Sequence, residues 1–149
     1  MAGTVVIRPV GEGERAAWQP LWDGYIAFYK ATLKPGASDV AWSRFQDPTE
    51  PMFLLGAYVD GQLTGIVHYL YHRATWTPGN YCYLQDLFVA EGARGLGLGR
   101  ALIEAVYEKA RAEGASRVYW LTQTTNTTAR KLYDQVADNP GFMQYRKLF

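Results

Sequence analysis

Cysteine is nearly missing from this sequence, with Cys82 the single one in 149 residues. An internal disulfide is therefore excluded, and one thiol cannot build a zinc site, which fits a reducing compartment. Long hydrophobic runs are also lacking, since nothing approaches the roughly 18 to 20 apolar residues of a membrane helix. The opening stretch, Met1-Ala2-Gly3-Thr4-Val5-Val6-Ile7-Arg8, has no basic segment leading into a long apolar one, so no signal peptide is visible. A soluble, cytoplasmic protein without a membrane partner is expected. Charge of one sign is lacking too: the formal net charge is +1, so no global field draws the chain to nucleic acid or anionic lipid. Any anion site has to be local.

What is abundant is aromatic surface, with five Trp and eleven Tyr, enough both to fill a core and to line a pocket. A chain of this length fits one domain, taken as 1–149. Thr4 to Arg8 is a β-branched run, and Gly11 to Leu33 carries Trp18, Leu21, Trp22, Tyr25, Ile26 and Tyr29 at helical spacing. A second short helix opens near Ser38 and ends before Asp47-Pro48. Met52–Val59 and Thr64–His72 read as strands joined through Asp60-Gly61, a tight-hairpin signal, and Tyr81–Val89 as the next strand. From Leu98 the period becomes helical, with Leu102, Ala105 and Val106 on one stripe, until Gly114. Arg117–Gln123 is then a strand, Asn126–Ala137 a helix and Phe142–Phe149 a closing strand. The predicted class is α/β in the order βααβββαβαβ, without repeats, linkers or low-complexity segments.

Three alternating glycines, Gly95, Gly97 and Gly99, lie between a predicted strand and a predicted helix. A helix start has unpaired N–H groups and the positive end of the macrodipole, and glycine lets a phosphate approach the backbone closely. Arg94 and Arg100 flank the loop with charge suited to a pyrophosphate. A dinucleotide fingerprint needs small residues where Arg100 or Leu102 stand, and a Walker loop needs a Gly-Lys-Ser/Thr that is absent.

Arg94-Gly95-Leu96-Gly97-Leu98-Gly99 resembles the acetyl-CoA signature of the GNAT superfamily of N-acetyltransferases, Arg/Gln-x-x-Gly-x-Gly/Ala. The resemblance covers nearly the whole chain, and Tyr83–Val89 with Asn126–Tyr133 is most similar to the spermidine, thialysine and yeast histone acetyltransferase branch. It implies a single-domain, mostly antiparallel mixed sheet that splays at its fourth strand, with pantetheine paired against the backbone of Leu87 and Val89 like an added strand. Gly95 to Arg100 would hold the pyrophosphate, and Asn126 would meet acetyl-CoA from the opposite side. Homodimers are common in that branch.

Attack of a neutral amine on a thioester requires a base, an oxyanion donor and an acid for the thiolate. By resemblance the acid is Tyr133 and the oxyanion donor a backbone N–H near Leu87. Phenol and thiol proton affinities would permit the transfer. At the base position the relatives carry a glutamate and this chain has Gln85, whose amide cannot accept a proton but can orient a water. Asp86, on the opposite strand face, is a candidate for a structural role or for binding the amine. His68 and His72 share a face, so a water-linked histidine is another candidate base; no third ligand suggests a metal. Cys82 reads as packing. Trp22, Tyr25, Tyr29 and Trp76 are candidate substrate contacts, suited to an alkylammonium of a short amine or lysine-like substrate. The reading is therefore amine N-acetylation, and Gln85 keeps a catalytically silent CoA-binding module as its alternative.

Overall fold

A computed structural model describes residues 3–149. Its elements are β1 (Val5–Pro9), α1 (Arg15–Phe28), α2 (Ala37–Gln46), β2 (Met52–Val59), β3 (Gln62–His72), β4 (Tyr81–Val89), α3 (Leu98–Ala112), β5 (Arg117–Tyr119) and α4 (Thr127–Val136), with single 3-10 turns at Glu12–Glu14 and Glu91–Ala93. The five strands lie in sequence order; β1 to β4 are antiparallel and β5 joins β4 in parallel. The β2–β3 hairpin turns on Asp60 (φ 49) and Gly61 (φ 82), the two positive dihedrals of a type I′ turn. No helix among the described residues is long and apolar enough to cross a membrane.

The sheet is covered on both faces. On one side Leu98, Leu102, Ile103, Val106 and Ala110 of α3 are buried against Leu55, Ala57, Val67, Tyr69, Cys82 and Leu84. On the other, Trp18, Leu21 and Trp22 of α1 cover Leu54, Tyr58, Leu63 and Ile66. This two-sided burial gives β2 and β3 their near-continuous apolar runs. Leu102 has no exposed surface, so truncation to alanine there costs about 2–5 kcal/mol. A glycine sets the seat of α1: a Cβ on Gly24 would lie 2.9 Å from Cζ of Phe88 on β4.

Two expectations need correction. Residues 142–149 form no strand; Phe142, Met143, Tyr145, Leu148 and Phe149 are exposed, and Gly141 before them is left-handed (φ 87). Alternating apolar residues supply strand propensity there, but a strand needs an edge to pair with, and no strand of the described residues pairs this segment. The fifth strand is likewise three residues long, because only Tyr81–Tyr83 of β4 pairs with it.

Candidate active site

The glycine loop is shaped by backbone conformation. Gly95 (φ 89) and Gly97 (φ 75) are left-handed, and a Cβ on either would meet nothing within 4 Å. Glycine is required there for chain path and for open space in front of the loop, not for internal packing. Gly97 caps α3 without any side-chain capping bond, and the first amide to return to the cap is Ala101 N–H to Gly97 O at 3.0 Å. The preceding N–H groups and the positive pole of a 15-residue helix therefore face outward. These features fit a pyrophosphate. The Arg94 Nε donates to Val89 O at 3.4 Å, with its guanidinium carbon 5.7 Å from the Phe88 ring centre. Arg100 donates to Gln135 on α4, tying the two helices together beside the loop.

Beyond Tyr83, β4 and β5 separate. The splay coincides with a β-bulge: His68 is paired with Asp86 and Tyr69 with Leu84, leaving Gln85 as the extra residue. The bulge reverses side-chain parity. Cys82 and Leu84 enter the α3 layer, whereas beyond Gln85 the even-numbered Asp86 and Phe88 face α1. Leu87 and Val89 pack toward α3, and their backbone lies on the stretch of β4 unpaired by β5.

The bulge aims Asp86 into an aromatic cluster. Its side chain is 15% exposed and accepts from His68 Nδ1 at 2.9 Å, while His68 Nε2 accepts from Trp18 Nε1 at 3.0 Å. An indole N–H only donates, so the partners assign the imidazole proton to Nδ1. The rings of Phe45 and Trp22 lie 4.5 and 5.0 Å from His68. Burial first, and then the Asp86 charge, hold the Tyr25 hydroxyl firmly protonated, and the same two causes raise Tyr29. Tyr83 is raised by burial, Asp86 and Tyr119. Three phenols thus feel the charge of one carboxylate, and the Tyr25 hydroxyl hydrogen-bonds it.

Tyr29, just past α1, links this cluster to the far wall: hydrogen bonding with Asn126 and Thr122 opposes its upward shift. Asn126 is the N-cap of α4, and its Nδ2 donates to Thr122 Oγ1 at 3.4 Å. Tyr133, on the same helix, rests edge-on to Trp120 at 5.3 Å, and burial, then Tyr29, pushes its hydroxyl up to about 12. A phenol so reluctant to ionise donates a hydrogen bond more readily than it gives up its proton, which modifies the affinity matched to a thiol that was expected from the residue types.

Trp22 is buried, donates to Ser38 Oγ at 3.0 Å and backs the Tyr25 ring, so it supports the wall and does not line it. Trp76 is 80% exposed in the β3–β4 loop. Gln85 is exposed on the bulge. His72 is engaged by Tyr119 and the Arg73 carbonyl, and the Nε2 of His68 is committed to Trp18, so neither histidine has a lone pair free to act as base. Cys82 is fully buried with its thiol pushed up to about 12 by burial, in keeping with packing. The sequence reading missed Trp18 and His68 as partners of Asp86; the available signals were a tryptophan on the apolar stripe of α1 and a histidine within the apolar run Ile66–Leu70 of β3.

The description of the acetyltransferase (GNAT) family matches residues 3–137. The chain belongs to this acetyltransferase family. As a GNAT protein it is an acyltransferase, and the resemblance carried by Arg94–Gly99 is borne out. It is 34% identical over 145 residues to the D-amino-acid N-acetyltransferase HPA3 of Saccharomyces cerevisiae, covering 96% of this chain and 90% of that protein. It is 32% identical over 80 residues to the thialysine N-epsilon-acetyltransferase of Caenorhabditis elegans, covering 54% of this GNAT chain and 49% of the relative. The ribosomal-protein-alanine N-acetyltransferase structure from Brucella melitensis biovar Abortus 2308 superposes with TM-score 0.80 at 27% identity, covering 98% and 99% of the two chains.

Proposed function

We propose that this GNAT chain moves an acetyl group from acetyl-CoA to a primary amine of a small molecule or lysine-like side chain, by direct attack of the amine on the thioester. The observation that carries this reading is the arrangement around the splay. An uncapped helix start with open left-handed glycines lies on one side, and Asn126 and Tyr133 lie on the other. The amides from Gly95 to Arg100, with Arg94, would hold the pyrophosphate, and the backbone at Leu87 and Val89 would pair with pantetheine. A backbone N–H near Leu87 would face the carbonyl oxygen. Tyr133 would donate to the leaving sulfur, and Tyr25 and Tyr29 would receive the amine's alkyl stem.

The relatives named for D-amino acids and thialysine guide the choice of amines. Incubation with acetyl-CoA and a panel of D-amino acids, lysine, thialysine, short diamines and spermidine should release CoA thiol with at least one of them. Tight CoA binding with no thiol release from any amine would replace this reading with the silent CoA-binding module. We further place the chain in the cytoplasm, where the free, buried Cys82 stays reduced, and assemble it as a homodimer through the apolar tail. Phe142, Met143, Tyr145, Leu148 and Phe149 are all at least 74% exposed within eight residues, a patch that suits a second copy. Sedimentation at micromolar concentration should show the dimer.

A further inference from the structure

We propose that Asp86, and not Gln85, is the proton acceptor for the substrate ammonium, and that Trp18 and His68 are positioning residues that present its carboxylate to the cleft. This rests on the acetyltransferase reading above.

Regular alternation from Cys82 and Leu84 would drive Asp86 into the α3 core; the extra residue Gln85 rotates it to the α1 face instead. Burying a carboxylate there would be costly unless it is hydrogen-bonded and has a cationic partner. The described residues supply hydrogen bonding without a fixed cation. His68 donates to Oδ2 at 2.9 Å, the Tyr25 hydroxyl hydrogen-bonds the same carboxylate, and the remaining neighbours are the phenols of Tyr29 and Tyr83. These are the titratable groups facing Asp86 from β3, β4, α1 and the residue that caps α1. The carboxylate is therefore held by neutral donors alone and stays 15% exposed among hydroxyls and aromatic side chains, an environment that receives an alkylammonium.

His68 does not accept the proton itself. The Trp18 N–H fills its Nε2 lone pair at 3.0 Å, and Trp18 has no exposed surface, so the imidazole is held in one tautomer and one orientation. Its function is to keep Nδ1–H on Asp86, as a supporting partner fixes a reacting group in other sites. The same cluster reaches the acid side through Tyr29, which is close enough to both Asp86 and Tyr133 to influence each or be influenced by it.

The transfer balances as follows. The substrate R–NH3+ gives one proton to the Asp86 carboxylate, and the freed nitrogen lone pair bonds to the acetyl carbon while the carbon–sulfur bond breaks. Tyr133 gives its proton to the sulfur. The amide nitrogen loses its second proton to solvent; Asp86 releases its own proton to solvent and Tyr133 regains one.

The test compares wild type with variants, measuring steady-state transfer to the amine panel and CoA affinity by calorimetry. Asp86→Asn keeps the shape and the acceptor for His68 but cannot take a proton, and should lower kcat/KM by about 10²- to 10⁴-fold with CoA affinity unchanged. Asp86→Ala should regain part of its rate on addition of formate, which a purely structural carboxylate would not produce. His68→Asn, whose amide N–H can occupy the place of Nδ1–H, should keep most of the rate, whereas His68→Leu should lose about 10- to 100-fold. Transfer by Asp86→Asn within threefold of wild type, or loss in Gln85→Ala with none in Asp86→Asn, overturns the assignment while leaving the acetyltransferase reading intact. A wild type that binds CoA and acetylates no amine overturns that reading, and this assignment with it.

Discussion

The glycine loop makes a prediction in which strain and ligand contact can be separated. Gly97 has φ 75 and ψ 16, and an added Cβ would meet nothing within 4 Å. In the free protein Gly97→Ala therefore introduces no clash, and its cost is that of holding an L residue in the left-handed region, about 1–2 kcal/mol. For a chain of this size that corresponds to a fall in Tm of about 3–6 °C. On the proposed binding mode the same methyl would stand in the open space in front of the loop where the pyrophosphate would lie. Loss of one charge-assisted hydrogen bond, about 1.5–3 kcal/mol, weakens CoA binding by about 10- to 150-fold. Gly92→Ala is the control: it lies in the preceding 3-10 turn without a positive φ, and its Cβ also meets nothing within 4 Å. That variant should melt no lower than wild type and bind CoA normally. Differential scanning calorimetry and titration calorimetry on the two variants decide the matter. If Gly97→Ala melts lower but binds CoA with unchanged affinity, the loop is a structural turn and the phosphate-site argument is wrong.

Other outcomes follow from the same geometry. Tyr133→Phe should bind CoA as wild type does and lose about 10²-fold or more in kcat, read by thiol release; an unchanged kcat removes Tyr133 from the acid role. The Arg8 guanidinium, then the Gly11 N–H and the Tyr58 hydroxyl, hold the Glu14 carboxyl at about 2, below its usual 4.5. A depressed folded-state value contributes stability above the unfolded value that is lost as pH falls from about 4.5 toward about 2. Because the pair is partly solvated, the effect should be about 1 kcal/mol, visible as a steeper acid-side fall of Tm in wild type than in Glu14→Gln. Truncation after Asn139 should leave a folded monomer by sedimentation, and a truncated chain that is still dimeric places the interface elsewhere.

Local pattern made much of the fold legible. The bounds of β2 and β4 follow from their apolar and aromatic runs, the hairpin from Asp60-Gly61, and the start of α3 from the change of period at Leu98. Pairing partners were less accessible. The tail has strand-like composition but pairs with no strand of the described residues, and β5 stops at Tyr119 because its pairing with β4 ends at Tyr83, just before the bulge at Gln85. At the candidate site the same division holds. The phosphate loop is a contiguous motif, so it is read directly from residues 94–99. The environment of Asp86 depends on one unpaired residue in β4, on a histidine 18 positions earlier and on a tryptophan 50 positions before that, and no spacing rule connects those three.

Gly24 gives the site a control that never meets substrate. Because the position lacks a methyl group, α1 lies directly on Phe88, and the helix carries Tyr25 within itself and Tyr29 just past its end. The gap between the carboxylate wall and the α4 wall is thus calibrated by an absence on a third element. Adding that methyl forces either the Phe88 ring or the helix to move. A moved helix alters the width of the opening while every residue named in the chemistry stays the same, so selectivity among amines of different girth can drift through a position that a search for contact residues would pass over.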